Sequence, residues 1–118
     1  EPKLANRRVF ADTRGQPGKP DGATVDADGF LWSAEFAGSR VVRYAPDGHV
    51  DRIVEMPVGN VTCVGFGGEA LDRLYISTAS FGLDEASRAA QPLAGGLFAI
   101  EPGVKGLPEP RFAFTGAA

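Results

Sequence analysis

The chain has 118 residues, of which 43% are hydrophobic and 23% charged, a composition typical of a folded domain rather than a disordered segment. Its 12 basic and 15 acidic residues give a net charge of −3, which argues against a nucleic-acid partner, since duplex-binding proteins normally carry a basic face. No apolar run approaches the roughly 20 residues that span a bilayer. Because no leader-like segment is visible and the single cysteine excludes an internal disulfide, we expect a cytoplasmic protein.

Short apolar runs between turn residues predict β-strands rather than helices. Three Asp-Gly pairs, at 21–22, 28–29 and 47–48, indicate tight turns because glycine readily supplies the positive φ that such turns need. A leading strand is expected at 7–12. The first unit then has four predicted strands, at 23–26, 30–36, 40–44 and 50–56.

The same pattern recurs in a second unit, with predicted strands at 61–66, 74–80, 96–101 and 111–114. An insertion at 81–95 separates its middle strands, and the 84–91 part of that insertion is compatible with one or two helical turns. Leu31-Trp32 and Leu74-Tyr75 lie 43 residues apart. A repeat of roughly 40–45 residues with four strands is typical of propeller blades, so we expect an all-β fold of about two and a half blades.

Fewer than three blades would leave long unpaired sheet edges, which soluble proteins avoid. We therefore expect the missing blades to come from a longer parent chain or from further copies of this chain. In this interpretation residues 1–118 are part of one propeller domain, with blade repeats at roughly 20–57 and 58–115. The alternative is an open sheet or small sandwich in which the repeat is coincidental.

Most catalytic and metal-binding motifs are missing from the sequence. The only histidine, His49, follows a predicted tight turn and is expected to be an exposed turn residue rather than the base of a triad. Cys63 lies in an apolar strand and is expected in the core. One Cys and one His cannot form a structural zinc site. Residues 26–29 resemble the opening of a calcium loop, but the later ligands are missing and a hairpin turn explains them better.

The segment 20–32, PDGATVDADGFLW, resembles the signature of the SMP-30/gluconolactonase/luciferin-regenerating family. Further matching segments follow in the family's order, at 38–44, 46–48, 56–57, 62, 66–68, 74–79, 91–98 and 102–106. Residues 6–10 are similar to the strand that leads into this region. The resemblance covers nearly the whole chain, and its specificity lies in the order and spacing of the segments.

The resemblance implies a six-bladed propeller with one divalent metal, often calcium or zinc, in its channel. It also implies hydrolysis of a sugar lactone, in which the metal polarises the lactone carbonyl and a carboxylate activates water. The family's Pro-Asp-Gly aspartate is a metal ligand and the proposed general base, and it corresponds to Asp21. We place Asp21 in a loop, 18–22, that leads into the first inner strand and faces the channel.

The other family ligands, a glutamate near the N-terminus and asparagines in middle blades, have no counterpart here, so the chain resembles the C-terminal portion of a longer family member. One carboxylate alone would hold calcium poorly, because calcium takes six to eight oxygen ligands. We therefore expect lactonase activity only in the full-length or assembled protein. The alternative is a non-catalytic propeller fragment that serves as a binding or assembly module.

Asn60, Glu35 and the charged residues of the insertion have two interpretations each. Asn60 precedes the second inner strand, roughly where Asp21 precedes the first, and it either caps a turn, the simpler interpretation, or faces the channel. Strand alternation groups Trp32, Ala34 and Phe36 in the inter-blade core and places Glu35 on the other face, where we expect a solvated edge rather than a channel-side group. The charged residues of the insertion are expected on a solvated turn rather than on a lid: Asp84, Glu85 and Arg88.

Overall fold

The computed structural model describes residues 3–113, which form two antiparallel β-sheets and one short helix. The first sheet contains β1 (Lys19–Val25), β2 (Leu31–Phe36), β3 (Arg40–Tyr44) and β4 (Val50–Glu55), which pair in chain order. The second contains β5 (Val61–Gly67), β6 (Arg73–Thr78) and β7 (Leu97–Ile100), and helix α1 (Glu85–Ala90) lies between β6 and β7. In this range, no helix combines the length and apolar character that a membrane crossing requires.

Two of the three predicted Asp-Gly turns are confirmed. Gly29 and Gly48 adopt φ angles of 83° and 91° in the β1–β2 and β3–β4 connections. The prediction for Asp21-Gly22 was wrong, because this pair lies inside β1. The strand begins earlier than expected since Lys19 and Pro20 already pair with Phe36 and Glu35 of β2. A proline is tolerated there because it stands near the first residue of the strand.

The second unit is confirmed over its first three strands, and the predicted helical turn within the insertion is α1. The Asp84 side chain caps this helix by accepting a hydrogen bond from Ser87 N at 2.7 Å. The expected fourth strand is not formed at 111–113, and residue 114 lies outside the described residues. The leading strand at 7–12 is also absent: this segment has no ladder partner in residues 3–113, and Phe10 instead packs edge-to-face on Tyr44.

The two sheets pack face to face through two of the three residues that strand alternation assigned to the core, whereas the third, Phe36, is only half-buried and lies outside the core cluster. Trp32 and Ala34 are fully buried, as predicted, and they form one apolar cluster with Val41 of the first sheet. Phe66 of β5 meets the Trp32 ring edge-on, with ring centroids 6.2 Å apart. The second sheet completes this cluster with Val61, Val64, Leu74 and Ile76. Burial of these side chains provides the main driving force that joins the sheets.

A buried ion pair lies where β1 ends and the β1–β2 turn begins. Asp26 Oδ2 accepts hydrogen bonds from Trp32 Nε1 at 2.8 Å and from Arg43 Nη2 at 2.7 Å. Its Oδ1 accepts from the backbone N–H groups of Asp28 and Phe30, both at 3.0 Å. Burial opposes the charged form, but the hydrogen bonds from Trp32 and Arg43 outweigh it and lower the pKa of Asp26. Residues 26–29 are thus a hairpin turn, as predicted.

Candidate functional site

The starts of β1 and β5 lie at the same edge of the molecule. Since Lys19 pairs with Phe36 and Val61 with Thr78, the β2–β3 turn (37–39) and the β6–β7 connection (79–96) lie at this edge too. We call it the upper edge. There Ser39 N donates to Gly59 O at 3.1 Å, whereas Ala27 N donates to Lys105 O at the opposite, lower edge. The first strands of the two sheets therefore run side by side in the same direction.

Asp21 lies at the upper edge on an irregularity of β1. The strand register shifts between Pro20 and Ala23, which indicates a β-bulge that carries Asp21 and Gly22. The Asp21 side chain is exposed, and its carboxylate forms no hydrogen bond or ion pair with any residue in the range 3–113. Our placement of 18–22 in a loop before the strand was wrong. The bulge nevertheless leaves this carboxylate exposed and without a partner in the part of the chain that the structure describes.

Gly22, the next residue of the bulge, is where β1 touches β5. A Cβ added to Gly22 would lie 2.7 Å from Cys63 Cβ and 2.8 Å from Cys63 Cα. Such a close approach of two backbones requires glycine at this position. Cys63 itself is exposed, so the expectation of a core cysteine was wrong. The register of β5 shifts between Val61 and Cys63, which leaves Val61 and Val64 in the core and turns Cys63 out of it.

We expect Gly22→Ala to destabilise the fold by about 1–3 kcal/mol, the usual cost of forcing atoms into a packed contact. The added methyl group would meet the Cys63 backbone, which cannot move aside as a flexible side-chain end can. Gly65→Ala is the matched control, because a Cβ there meets nothing within 4 Å. Urea unfolding followed by tryptophan fluorescence measures both variants. Equal midpoints for the two variants would contradict the close contact.

Glu35 is buried rather than solvated, so the expectation of a solvated edge was wrong. Its side chain is 1% exposed, and Oε1 accepts a hydrogen bond from Ser33 Oγ at 2.9 Å. Burial raises the pKa of this carboxyl, although Ser33 and Arg40 act in the opposite direction. Arg40 stands opposite Glu35 in the ladder and also donates to Gln16 of the segment before β1. That segment covers a sheet face that strand alternation alone leaves exposed.

Asn60 holds the insertion at the upper edge. The residue is 6% exposed, and its Nδ2 donates to Phe81 O at 2.9 Å. Its backbone carbonyl accepts from Ala79 N, also at 2.9 Å. Asn60 therefore links the two ends of the β5–β6 hairpin, and the side-chain amide binds a loop that is distant in the sequence.

A pair of hydroxyl groups at the start of β5 was not predicted. Thr62 Oγ1 and Ser77 Oγ lie 2.9 Å apart, and the Ser77 hydroxyl also lies 3.5 Å from the Cys63 carbonyl oxygen. Thr62 lies at the register shift of β5, as Asp21 does in β1. The sequence pointed to Thr62 only as one of the positions that match the family. No local pattern indicates the role of an isolated threonine in a strand.

The remaining polar candidates lie on the surface, as predicted. His49 is exposed and contacts Asp47 in the β3–β4 turn. Hydrogen bonds from the backbone and ring of His49 lower the pKa of Asp47. The charged residues of the insertion are also exposed: Asp84, Glu85 and Arg88.

The described residues do not by themselves form a metal site. Within residues 3–113, no group of three or more His, Cys, Asp or Glu side chains is arranged to hold a metal ion. Asp21 fits one ligand position, because its exposed carboxylate has no hydrogen-bond or ion-pair partner among residues 3–113. A calcium ion needs six to eight oxygens, so any site that uses Asp21 takes its other ligands from elsewhere.

The sequence of this chain matches the family model of the SMP-30/Gluconolactonase/LRE-like region over residues 1–80. The chain belongs to the SMP-30/gluconolactonase/LRE-like family. The recognition made from the Pro-Asp-Gly segment and the motifs that follow it is therefore confirmed.

Curated members of the family show the relationship in detail. L-arabinolactonase from Azospirillum brasilense is 42% identical over 113 residues, which are 96% of this chain and 37% of that protein. 6-deoxy-6-sulfogluconolactonase from Pseudomonas putida is 44% identical over 106 residues, or 90% of this chain and 36% of that protein. Regucalcin from Gallus gallus is 39% identical over 113 residues, 94% of this chain and 38% of that protein. The chain thus spans little more than a third of the length of these relatives.

Solved structures of SMP-30 family members have the same fold. Regucalcin from Agrobacterium tumefaciens strain C58, described as a calcium-binding protein, superposes with a TM-score of 0.88 at 34% identity. The match covers 93% of this chain and 37% of that one. A luciferin-regenerating enzyme superposes with a TM-score of 0.77, also at 34% identity, over 87% of this chain and 35% of that one. The prediction of an all-β fold built from propeller-type antiparallel sheets is confirmed.

Proposed function

We propose that the protein to which these residues belong hydrolyses a sugar lactone. Two relatives that are more than 40% identical to the chain are L-arabinolactonase and 6-deoxy-6-sulfogluconolactonase. The observation that carries the proposal is the position of Asp21. Its carboxylate is exposed at the upper edge, has no partner among residues 3–113, and lies on a bulge held against the neighbouring strand β5.

The chemistry assigned to this chain is proton transfer. The Asp21 carboxylate accepts a proton from water as the water oxygen bonds to the lactone carbonyl carbon. The ring C–O bond then breaks, and the proton passes to the departing ring oxygen, so that the product is an open-chain hydroxy acid. Asp21 suits this role because no group in residues 3–113 competes for its oxygens.

The proposed activity depends on a divalent metal, calcium or zinc, for which Asp21 supplies one ligand. We propose that the other ligands come from blades outside the described residues, in the parent chain or in further copies of this chain. The mass of residues 1–118 in solution, measured by light scattering after size exclusion, distinguishes these sources. A closed oligomer supports assembly from copies, whereas a 12.4 kDa monomer supports a longer parent chain.

Metal removal tests the proposal. We expect the full-length protein to release acid from sugar lactones in a pH-stat assay, to lose this activity after treatment with a chelator, and to regain it with added calcium or zinc. The uncatalysed opening of the same lactones provides the blank. Full activity in protein that elemental analysis shows to be metal-free would contradict metal dependence. No activity with any sugar lactone would favour the alternative function, a binding or assembly module. The lack of a metal-ligand cluster in residues 3–113 is consistent with that alternative.

A further inference from the structure

The β6–β7 connection is held firmly at the upper edge. Asn60 Nδ2 donates to Phe81 O at 2.9 Å, and Gly59 N donates to Gln91 Oε1 at 2.6 Å. At its far end, Thr78 Oγ1 donates to Gly96 O at 2.7 Å and accepts from Gly95 N at 3.1 Å. With both ends and a middle residue bound to the sheet, this connection is a preorganised part of the edge.

This connection presents a large apolar side chain to solvent. Phe81 is 80% exposed, although an aromatic ring gains free energy by burial. Helix α1, which follows in the chain, has no buried residues of its own and leaves most of the Phe81 ring uncovered. A single exposed apolar residue is ordinary on a protein surface. Phe81 differs because its own carbonyl is fixed by the buried amide of Asn60.

Phe81 is also close to the proposed reaction centre along the strands. Asn60, which binds its backbone, stands three residues before Cys63, and Cys63 lies against Gly22, the neighbour of Asp21. Three residues of extended chain span about 10 Å. These contacts place the Phe81 backbone and Asp21 at the same edge of the molecule, on neighbouring strands.

We propose that Phe81 forms the apolar wall of the lactone site and determines which lactones are accepted. This inference rests on the proposed function. Small-molecule sites combine a few polar groups with apolar and aromatic walls, and an aromatic ring packs well on the C–H face of a sugar ring. In this arrangement Asp21 provides the polar group and Phe81 the apolar wall.

Phe81→Ala tests whether the aromatic ring contacts the lactone. We expect KM for a hexonolactone to rise about tenfold with kcat little changed, since loss of apolar contact to a substrate changes kcat/KM by about 10–200-fold. The ratio of kcat/KM between hexonolactones and pentonolactones is expected to change as well. Phe81→Trp, which keeps an aromatic ring, is expected to retain a KM near that of the wild type.

Leu107→Ala is the matched control, because Leu107 is also a large exposed apolar residue, 52% exposed, but follows Gly106 at the lower edge. We expect its KM and substrate ratio to equal those of the wild type. Wild-type kinetics for Phe81→Ala in an active protein would overturn the inference and leave the lactonase proposal standing. A wild-type protein without activity on any lactone would overturn both. Because the side chains of Phe81 and Leu107 are both exposed, all variants are expected to have the same urea midpoint as the wild type.

Discussion

Asp21→Asn is expected to lower kcat for lactone hydrolysis by about 10²–10⁴-fold, the range by which a general base accelerates a reaction. The amide cannot accept the proton of the attacking water, and it is a weaker ligand for a cation than a carboxylate. The side chain is exposed and bonds to no residue in 3–113, so the substitution removes chemistry without removing a structural contact. The fold is therefore expected to survive unchanged.

The measurement compares Asp21→Asn with Asp72→Asn in the full-length protein. Asp72 is another exposed aspartate, but it lies in the β5–β6 turn at the lower edge. We expect its kcat to equal that of the wild type. Circular dichroism and urea unfolding confirm that both variants are folded, and calcium titration calorimetry reports whether the metal affinity changes with Asp21. Normal turnover by a folded Asp21→Asn protein would contradict the assignment of this residue.

Asp26→Asn is expected to reduce the free energy of unfolding by about 3 kcal/mol, the lower end of the cost of breaking a buried ion pair. The new amide N–H group would face two donors, Trp32 Nε1 and the Arg43 guanidinium, where Oδ2 now accepts from both. Arg43 would remain buried with less compensation, since its remaining ion pairs are with Asp51 at 2.8 Å and Asp28 at 3.4 Å. The expected loss is large beside the roughly 5–15 kcal/mol that stabilises a typical domain.

The control is Asp12→Asn, which removes an exposed aspartate paired with Arg14 and is expected to leave the urea midpoint unchanged. Acid provides a second test, because the pKa of Asp26 is lowered in the folded state. Its contribution to stability is complete above the ordinary aspartate pKa of about 3.9 and disappears as pH falls through the lower folded value. The difference in urea midpoint between the wild type and Asp26→Asn should therefore be constant near neutral pH and should shrink towards zero as the pH falls below about 4. A difference that persists in strong acid would contradict the role of the charge.

Local patterns predicted most of the strands, because strand alternation and turn preference depend on neighbouring residues. The Arg40–Tyr44 strand is found at its predicted bounds, and Trp32 and Ala34 face the core as their alternation requires. The turns at Gly29 and Gly48 follow from the positive φ that glycine permits. The family, too, was recognised from short motifs in a fixed order.

The errors occur where pairing between distant segments outweighs local preference. Asp21-Gly22 reads as a turn, yet pairing of Lys19 and Pro20 with β2 extends the strand through it. Glu35 reads as an edge residue, yet the segment before β1 covers its face of the sheet. Residues 7–12 read as a strand, but a strand forms only where a second strand supplies its hydrogen bonds.

The sequence by itself therefore determined the class of the fold and the repeat of short strands, and through its resemblance to the family it predicted Asp21 as the carboxylate of the proposed reaction. Only the tertiary structure decided that this carboxylate stands on a bulge beside β5, that Cys63 leaves the core and that Asn60 holds the insertion to the same edge. The physical reason is the range of the interactions involved. Turn preference and strand alternation act over a few residues, whereas bulges, covered faces and loop anchors arise from contacts between segments that the chain order does not place together.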